Sequence, residues 1–104
     1  MGDKEDGIFA EGGRIVVKRD LGFGQSLKLE AILKSLFASA DKEVTIDLSG
    51  VRHLCSSNLA SLAAVCNVIT RRGRTVKIVA TPAVARVLQL GGVERLATIE
   101  EVNK

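Results

Sequence analysis

Apolar positions along this chain come in short runs that switch between a strand-like and a helix-like period. Ile8, Phe9 and Ala10 form the first run, Gly12-Gly13 follows, and residues 14–18 are rich in β-branched side chains. Two such runs divided by a glycine pair predict a hairpin. Residues 21–24 read as a loop, broken by Gly22 and Gly24. A helix is then predicted from a cap at Ser26 to about Ala40. Leu29, Ile32, Leu33, Leu36, Phe37 and Ala40 recur along it at the i, i+3, i+4, i+7 spacing of one buried stripe.

Residues 44–48, Val-Thr-Ile-Asp-Leu, predict a strand bounded by Asp41-Lys42 and Ser49-Gly50. After a short connection over residues 51–54, Ser56 or Ser57 is expected to open a second helix over about 58–70. Leu59, Leu62, Ala63, Cys66 and Ile69 would form its inner face. Gly73 ends it as a C-terminal cap residue. Residues 75–79 predict another strand. Thr81-Pro82 then marks a helix start, with Thr81 as cap and Pro82 at the first helical position. That helix would turn Val84, Val87 and Leu88 inward and stop at Gly91-Gly92. A last short strand over 97–99 and a polar tail complete the chain. The order β-β-α-β-α-β-α-(β) implies an α/β fold with a largely parallel sheet and crossover helices.

Length, composition and charge narrow the class. At 104 residues, one domain spanning 1–104 is expected, with residues 1–7 and 101–104 as flexible tails. A hydrophobic fraction of 46% with 26% charged residues suits a folded domain. Aromatics are confined to Phe9, Phe23 and Phe37, which offers few faces for base stacking, so no direct nucleic-acid partner is expected. The net charge of +3 owes much to Arg71-Arg72-Gly73-Arg74, read as a solvated loop at the C-terminal end of a helix dipole. The polar N-terminus has no secretory signal pattern, and no apolar run approaches the roughly 18 residues of a membrane span. The cytoplasm is the expected location.

Candidate chemistry is sparse. Cys55, Cys66 and the single His53 cannot supply a structural zinc site, so no metal and no cofactor is expected. His53 lies three positions from Ser56 with no evident acid, which does not make a catalytic triad. Gly22-Phe23-Gly24 lacks the third glycine and the Lys-Ser/Thr pair of a phosphate loop. An enzyme is therefore not expected. What stands out is the strand-to-helix junction Cys55-Ser56-Ser57-Asn58.

The run Val44 to Val51, then Cys55-Ser56-Ser57-Asn58-Leu59, Arg72-Gly73, the strand over 76–79, Thr81-Pro82-Ala83-Val84 and Leu88-Gln89-Leu90-Gly91-Gly92-Val93 together carry a resemblance. In this order they closely resemble the STAS domain of bacterial anti-sigma factor antagonists, over about residues 8–100. The resemblance implies a mixed sheet of four to five strands with helices packed mainly on one face. It also implies partner switching: the domain binds a serine kinase that doubles as an anti-sigma factor, and phosphorylation releases it. By position the phosphoacceptor is Ser56, with Ser57 as runner-up. Leu21, Phe23, Cys55, Ser56, Ser57, Asn58 and Leu59 would make the partner surface. A weak homodimer is compatible with this picture. Two residues depart from the family pattern, Cys55 standing where the family has Asp and Asn58 where it has Gly. Small STAS subunits of this kind also bind the ATPase of lipid-transport ABC complexes without a phosphorylation cycle, and the lost acid at Cys55 suits that alternative.

Overall fold

The computed structural model describes residues 2–3, 8–11, 14–18, 31 and 42–102. The helix expected over 26–40 and the loop with Leu21 and Phe23 lie outside the described residues, apart from Ala31, which is helical. The described elements are β1 (Gly2–Asp3), β2 (Ile8–Glu11), β3 (Arg14–Val17), β4 (Glu43–Leu48), α1 (Ser56–Arg71), β5 (Thr75–Ala80), α2 (Pro82–Leu90), a 3-10 turn (Val93–Arg95) and β6 (Thr98–Glu101).

The six strands form one sheet in chain order. β2 and β3 make the expected antiparallel hairpin, with Ile8 opposite Val17 and Glu11 opposite Arg14. β3, β4, β5 and β6 run parallel, aligning Ile15, Ile46, Ile78 and Ile99 in one row. The sheet extends further at both margins than expected. Gly2–Asp3, placed in a flexible tail by the sequence, pairs with Ile8 and Phe9. Glu100 and Glu101, read as tail, pair with Val79 and Ala80. Their acidic side chains leave a charged, short edge that resists further strand addition.

In β4–α1–β5 and β5–α2–β6, crossovers of one hand between adjacent parallel strands deliver α1 and α2 to the same face. Burial follows that geometry. Val44, Ile46 and Leu48 of β4 and Val76, Ile78 and Ala80 of β5 are buried, while Thr45, Lys77 and Val79 between them are half-buried. Leu62, Val65, Cys66 and Ile69 of α1 and Val84, Ala85 and Leu88 of α2 complete the core. Each fully buried Leu, Ile or Val contributes about 1.5–3 kcal/mol relative to exposure.

The opposite face of the sheet is polar. Arg14 there forms an ion pair with Asp47, and Lys77 Nζ lies 2.6 Å from Glu100 Oε2. Asp47, flanked in register by Val16 and Val79, is only 9% exposed and also accepts a hydrogen bond from the Ser49 N–H at 2.9 Å. Burial raises its pKa, but the Ser49 hydrogen bonds and the Arg14 guanidinium outweigh it and hold the carboxyl below its ordinary value. Lys77 is held above its ordinary value by its hydrogen bond and charge contact with Glu100.

Candidate functional site

The junction between β4 and α1 is built by a turn and a helix start. The Val51 N–H donates to the Leu48 carbonyl at 2.9 Å, closing a turn through Ser49 and Gly50. Gly50 is required there by close approach, since a Cβ would fall 2.4 Å from the Lys18 carbonyl oxygen. Val51 is fully buried and anchors the connection, while Arg52 and His53 are exposed. The chain then enters α1 with Cys55 in the extended conformation as N-cap. The expectation that Ser56 or Ser57 caps the helix is therefore corrected. Both lie inside it, at the first and second helical positions.

This register sets the exposure of each junction residue. Ser56 is exposed, Cys55, Ser57 and Leu59 are half-buried, and Asn58 is fully buried. Asn58, expected on the partner surface, thus offers no accessible area. It starts the buried stripe that continues through Leu62, Val65, Cys66 and Ile69, the 3.6-residue periodicity of the inner face. That stripe is rotated from the expected one, so Leu59 and Ala63 lie at its flank as half-buried residues and Val65 lies within it.

The first intrahelical bond runs from the Leu59 N–H to the Cys55 carbonyl at 3.0 Å. The N–H groups of the first turn point out of the helix start, and that turn has no acidic residue. The helix dipole at this end favours negative charge. Cys55 Sγ lies 3.1 Å from Ser57 Oγ. That contact, with the nearby Asn58 and Ser57 N–H groups, lowers the thiol pKa, although no side-chain capping hydrogen bond forms. Cys66 is the opposite case: burial pushes its thiol up to about 12, which makes it an inert core group. No group of three or more metal-ligating side chains occurs among the described residues.

Beside the junction lies a depression of about 580 Å³ lined by Ser49, Gly50, Arg52, His53 and the Thr81-Pro82-Ala83 start of α2. Pro82 occupies the first helical position as expected, and Thr81 is the N-cap by backbone geometry but makes no capping hydrogen bond with its side chain. On the far side, α2 ends at Gly91, where a Cβ would come within 2.7 Å of Leu59 Cδ2. The end of α2 is thus seated on the first turns of α1. Leu90, one residue away, is 79% exposed. Sequence reasoning passed over Leu90, yet its signal is visible: the inward stripe of α2 runs through Val84 and Leu88, and Leu90 falls outside it.

At the other end of α1, the chain leaves by a Schellman motif. Gly73, at φ +79°, donates its N–H to the Thr70 carbonyl, and the Arg74 N–H reaches the Ile69 carbonyl at 3.3 Å. The expected glycine cap is in place, and Arg71 and Arg72 stand exposed at the negative end of the dipole.

Among the described residues, no helix is long and apolar enough to cross a membrane. The chain is similar in structure to a candidate anti-sigma factor antagonist from Thermotoga maritima, solved by crystallography. The TM-score is 0.70 at 16% identity, covering 91% of this chain and 85% of that one. An NMR structure of the protein TM1081 matches with a TM-score of 0.71 at 16% identity, covering 93% of this chain and 81% of that one. At that identity the likeness carries the fold. The sequence itself matches the family model described as "Mlab, STAS domain" over residues 10–99. The match begins within β2, takes in β3, the β4–α1 junction and both helices with their glycine ends, and stops within β6, and the chain belongs to the STAS domain family.

Proposed function

We propose that this protein is a regulatory binding module of the anti-sigma factor antagonist kind. It docks a serine kinase or anti-sigma partner at the start of α1 and releases it when Ser56 is phosphorylated. The observation that carries this reading is the setting of Ser56: exposed, at the first helical position, with no acidic residue in the first turn. A phosphate there adds about −1.5 to −2 charges and three acceptor oxygens. The domain tolerates them because the helix start supplies N–H donors and a favourable dipole. A partner seated over the same point meets an unpaired, desolvated charge. One modification then changes affinity without unfolding the domain.

In this reading Cys55, Ser57 and Leu59 complete the contact around Ser56, Leu21 and Phe23 are further candidate contacts outside the described residues, and Ser57 is the second-choice acceptor. The protein acts as one domain over 1–104 in the cytoplasm and catalyses no reaction. The test has two parts. Tagged protein is used to retain its partner from the native host, and the retained ATPase is identified. Incubation with that ATPase and ATP, followed by intact-mass measurement of wild type and Ser56→Ala, should show one phosphate on wild type and none on the variant. A mass that never changes refutes the switch.

A second reading is supported by Cys55. Where the family pattern has an acid beside the acceptor, this chain has a thiol engaged with Ser57. Without that acid the module would serve as a constitutive scaffold for the ATPase of an ABC complex of lipid transport. Retention of an ABC ATPase, with no phosphate gained, selects this second reading.

A further inference from the structure

Two serines stand side by side at the start of α1, and the fold gives them unequal surroundings. The helix turns about 100° per residue. Exposure steps with that turn: Ser56 is exposed, Ser57 half-buried, Asn58 fully buried, Leu59 half-buried and Ala60 exposed again. Ser56 therefore lies on the outward side of the first turn, and Ser57 is rotated from it toward the core. Half-burial alone still leaves Ser57 within reach of an enzyme.

Ser57 is also held in place. Cys55, extended at the N-cap, carries its sulfur to 3.1 Å from Ser57 Oγ. Either atom can donate in this contact. The contact is the largest cause lowering the thiol pKa, as follows when the Ser57 O–H donates to the sulfur in its thiolate form. Phosphorylation of a serine makes a specific demand on the same hydroxyl. An Oγ–P bond forms to the γ-phosphorus of ATP, the bond from that phosphorus to the oxygen leaving on ADP breaks, and the hydroxyl proton passes to the kinase's base. The oxygen must meet the phosphorus in line, with its proton turned to that base. The Ser57 hydroxyl must first leave the sulfur to do so, whereas exposed Ser56 is open to the approach from solvent.

We infer that Cys55 is the residue that restricts phosphorylation to Ser56, by holding the neighbouring Ser57 hydroxyl against its sulfur. This inference rests on the proposed phosphorylation of Ser56 and adds what selects between two adjacent serines. Cys55 acts through Ser57, so it is a positioning residue. The selection has a consequence for the switch. A phosphate confined to Ser56 stands on the outward side of the first turn, where a docked partner meets it. A phosphate on Ser57 would be turned toward the flank of the core.

The test incubates full-length protein with ATP and the purified ATPase that wild type retains. Intact mass counts the phosphates and fragment masses assign them, in wild type, Cys55→Ala, Cys55→Ser, Ser56→Ala and the Cys55→Ala/Ser56→Ala double variant. Circular dichroism verifies each fold. The readout is the share of phosphate on Ser57 relative to Ser56, which a general loss of docking or stability does not move. Wild type should carry its phosphate on Ser56, and Ser56→Ala should gain none. The share on Ser57 should rise about two- to tenfold in Cys55→Ala, the range that loss of one hydrogen bond allows, and the double variant should be phosphorylated on Ser57. Cys55→Ser, whose hydroxyl can keep the contact, should stay near wild type. An unchanged share in Cys55→Ala, or ready phosphorylation of Ser57 in Ser56→Ala, overturns the role of Cys55 and leaves the switch at Ser56 standing. Cys55→Ser behaving as Cys55→Ala overturns the hydrogen-bonded hold. Wild type that gains its phosphate on Ser57, or gains none, overturns both the selection and the reading of Ser56.

Discussion

Replacing Gly50 with alanine isolates the packing that holds the β4–α1 junction in place. The added Cβ would lie 2.4 Å from the Lys18 carbonyl oxygen, 2.6 Å from its carbon and 2.8 Å from its Cα. All three are backbone atoms at the end of β3, so no side-chain rotation relieves the contact. The junction turn or the β3 end must move by roughly 1 Å to reach ordinary contact, and overpacking of this kind costs about 1–3 kcal/mol. Alanine also restricts the unfolded chain, which returns about 0.4–1 kcal/mol. Gly50 is not among the glycines held at positive φ, so no conformational penalty adds to the clash. The net expectation is a loss of about 1–2 kcal/mol, or roughly 5–15 °C in Tm for a domain of this size. Thermal and urea unfolding of wild type, Gly50→Ala and Gly91→Ala measures it. Gly91→Ala is the internal comparison, because the three atoms nearest its Cβ all belong to the movable Leu59 side chain. It should lose clearly less. A Gly50→Ala protein as stable as wild type, or less affected than Gly91→Ala, would refute the backbone-contact argument.

Gly73→Ala should cost about 1–2 kcal/mol for a different reason, since nothing lies within 4 Å of its Cβ but its φ of +79° is left-handed; urea unfolding measures it. Asp47 has a depressed folded-state pKa, so the stability it contributes is present above its unfolded value of about 3.9 and is lost as pH falls through the folded one. Unfolding followed from pH 6 down to pH 2 should therefore lose stability mainly below about pH 4, and less steeply in Asp47→Asn. Thiol titration with a disulfide reagent should show one fast group, removed by Cys55→Ser, and a second that reacts only on unfolding, as expected for buried Cys66. Ser56→Asp should leave Tm unchanged or slightly raised, because a negative charge at the first turn gains about 0.3–1 kcal/mol from the dipole.

Much of the fold was legible because its signals are local. The glycine at position 73 and the Thr81-Pro82 pair set helix ends through backbone chemistry that does not depend on the rest of the molecule. The β-branched runs of β4 and β5 likewise announce a buried sheet. What escaped sequence reading depends on tertiary context. The rotation of α1 that buries Asn58 and Val65 is set by how the helix lies on β5, and alternative stripes of similar hydrophobicity were available. That Cys55 rather than a serine takes the N-cap position is a matter of where the connection from buried Val51 lets the helix begin. The Arg14–Asp47 pair joins residues far apart in the chain and follows only from the β3–β4 register. The extra margins at β1 and β6 are pairings of short polar segments that carry no periodicity of their own.

The most direct test of partner switching compares one purified partner with two forms of this protein. The ATPase retained by wild type is titrated calorimetrically against unmodified protein and against protein phosphorylated on Ser56 alone. An unpaired charge in a desolvated contact costs about 2–5 kcal/mol, so the phosphorylated form should bind roughly 30- to several-thousand-fold more weakly, with its fold and Tm intact. Equal affinity of the two forms would contradict the account.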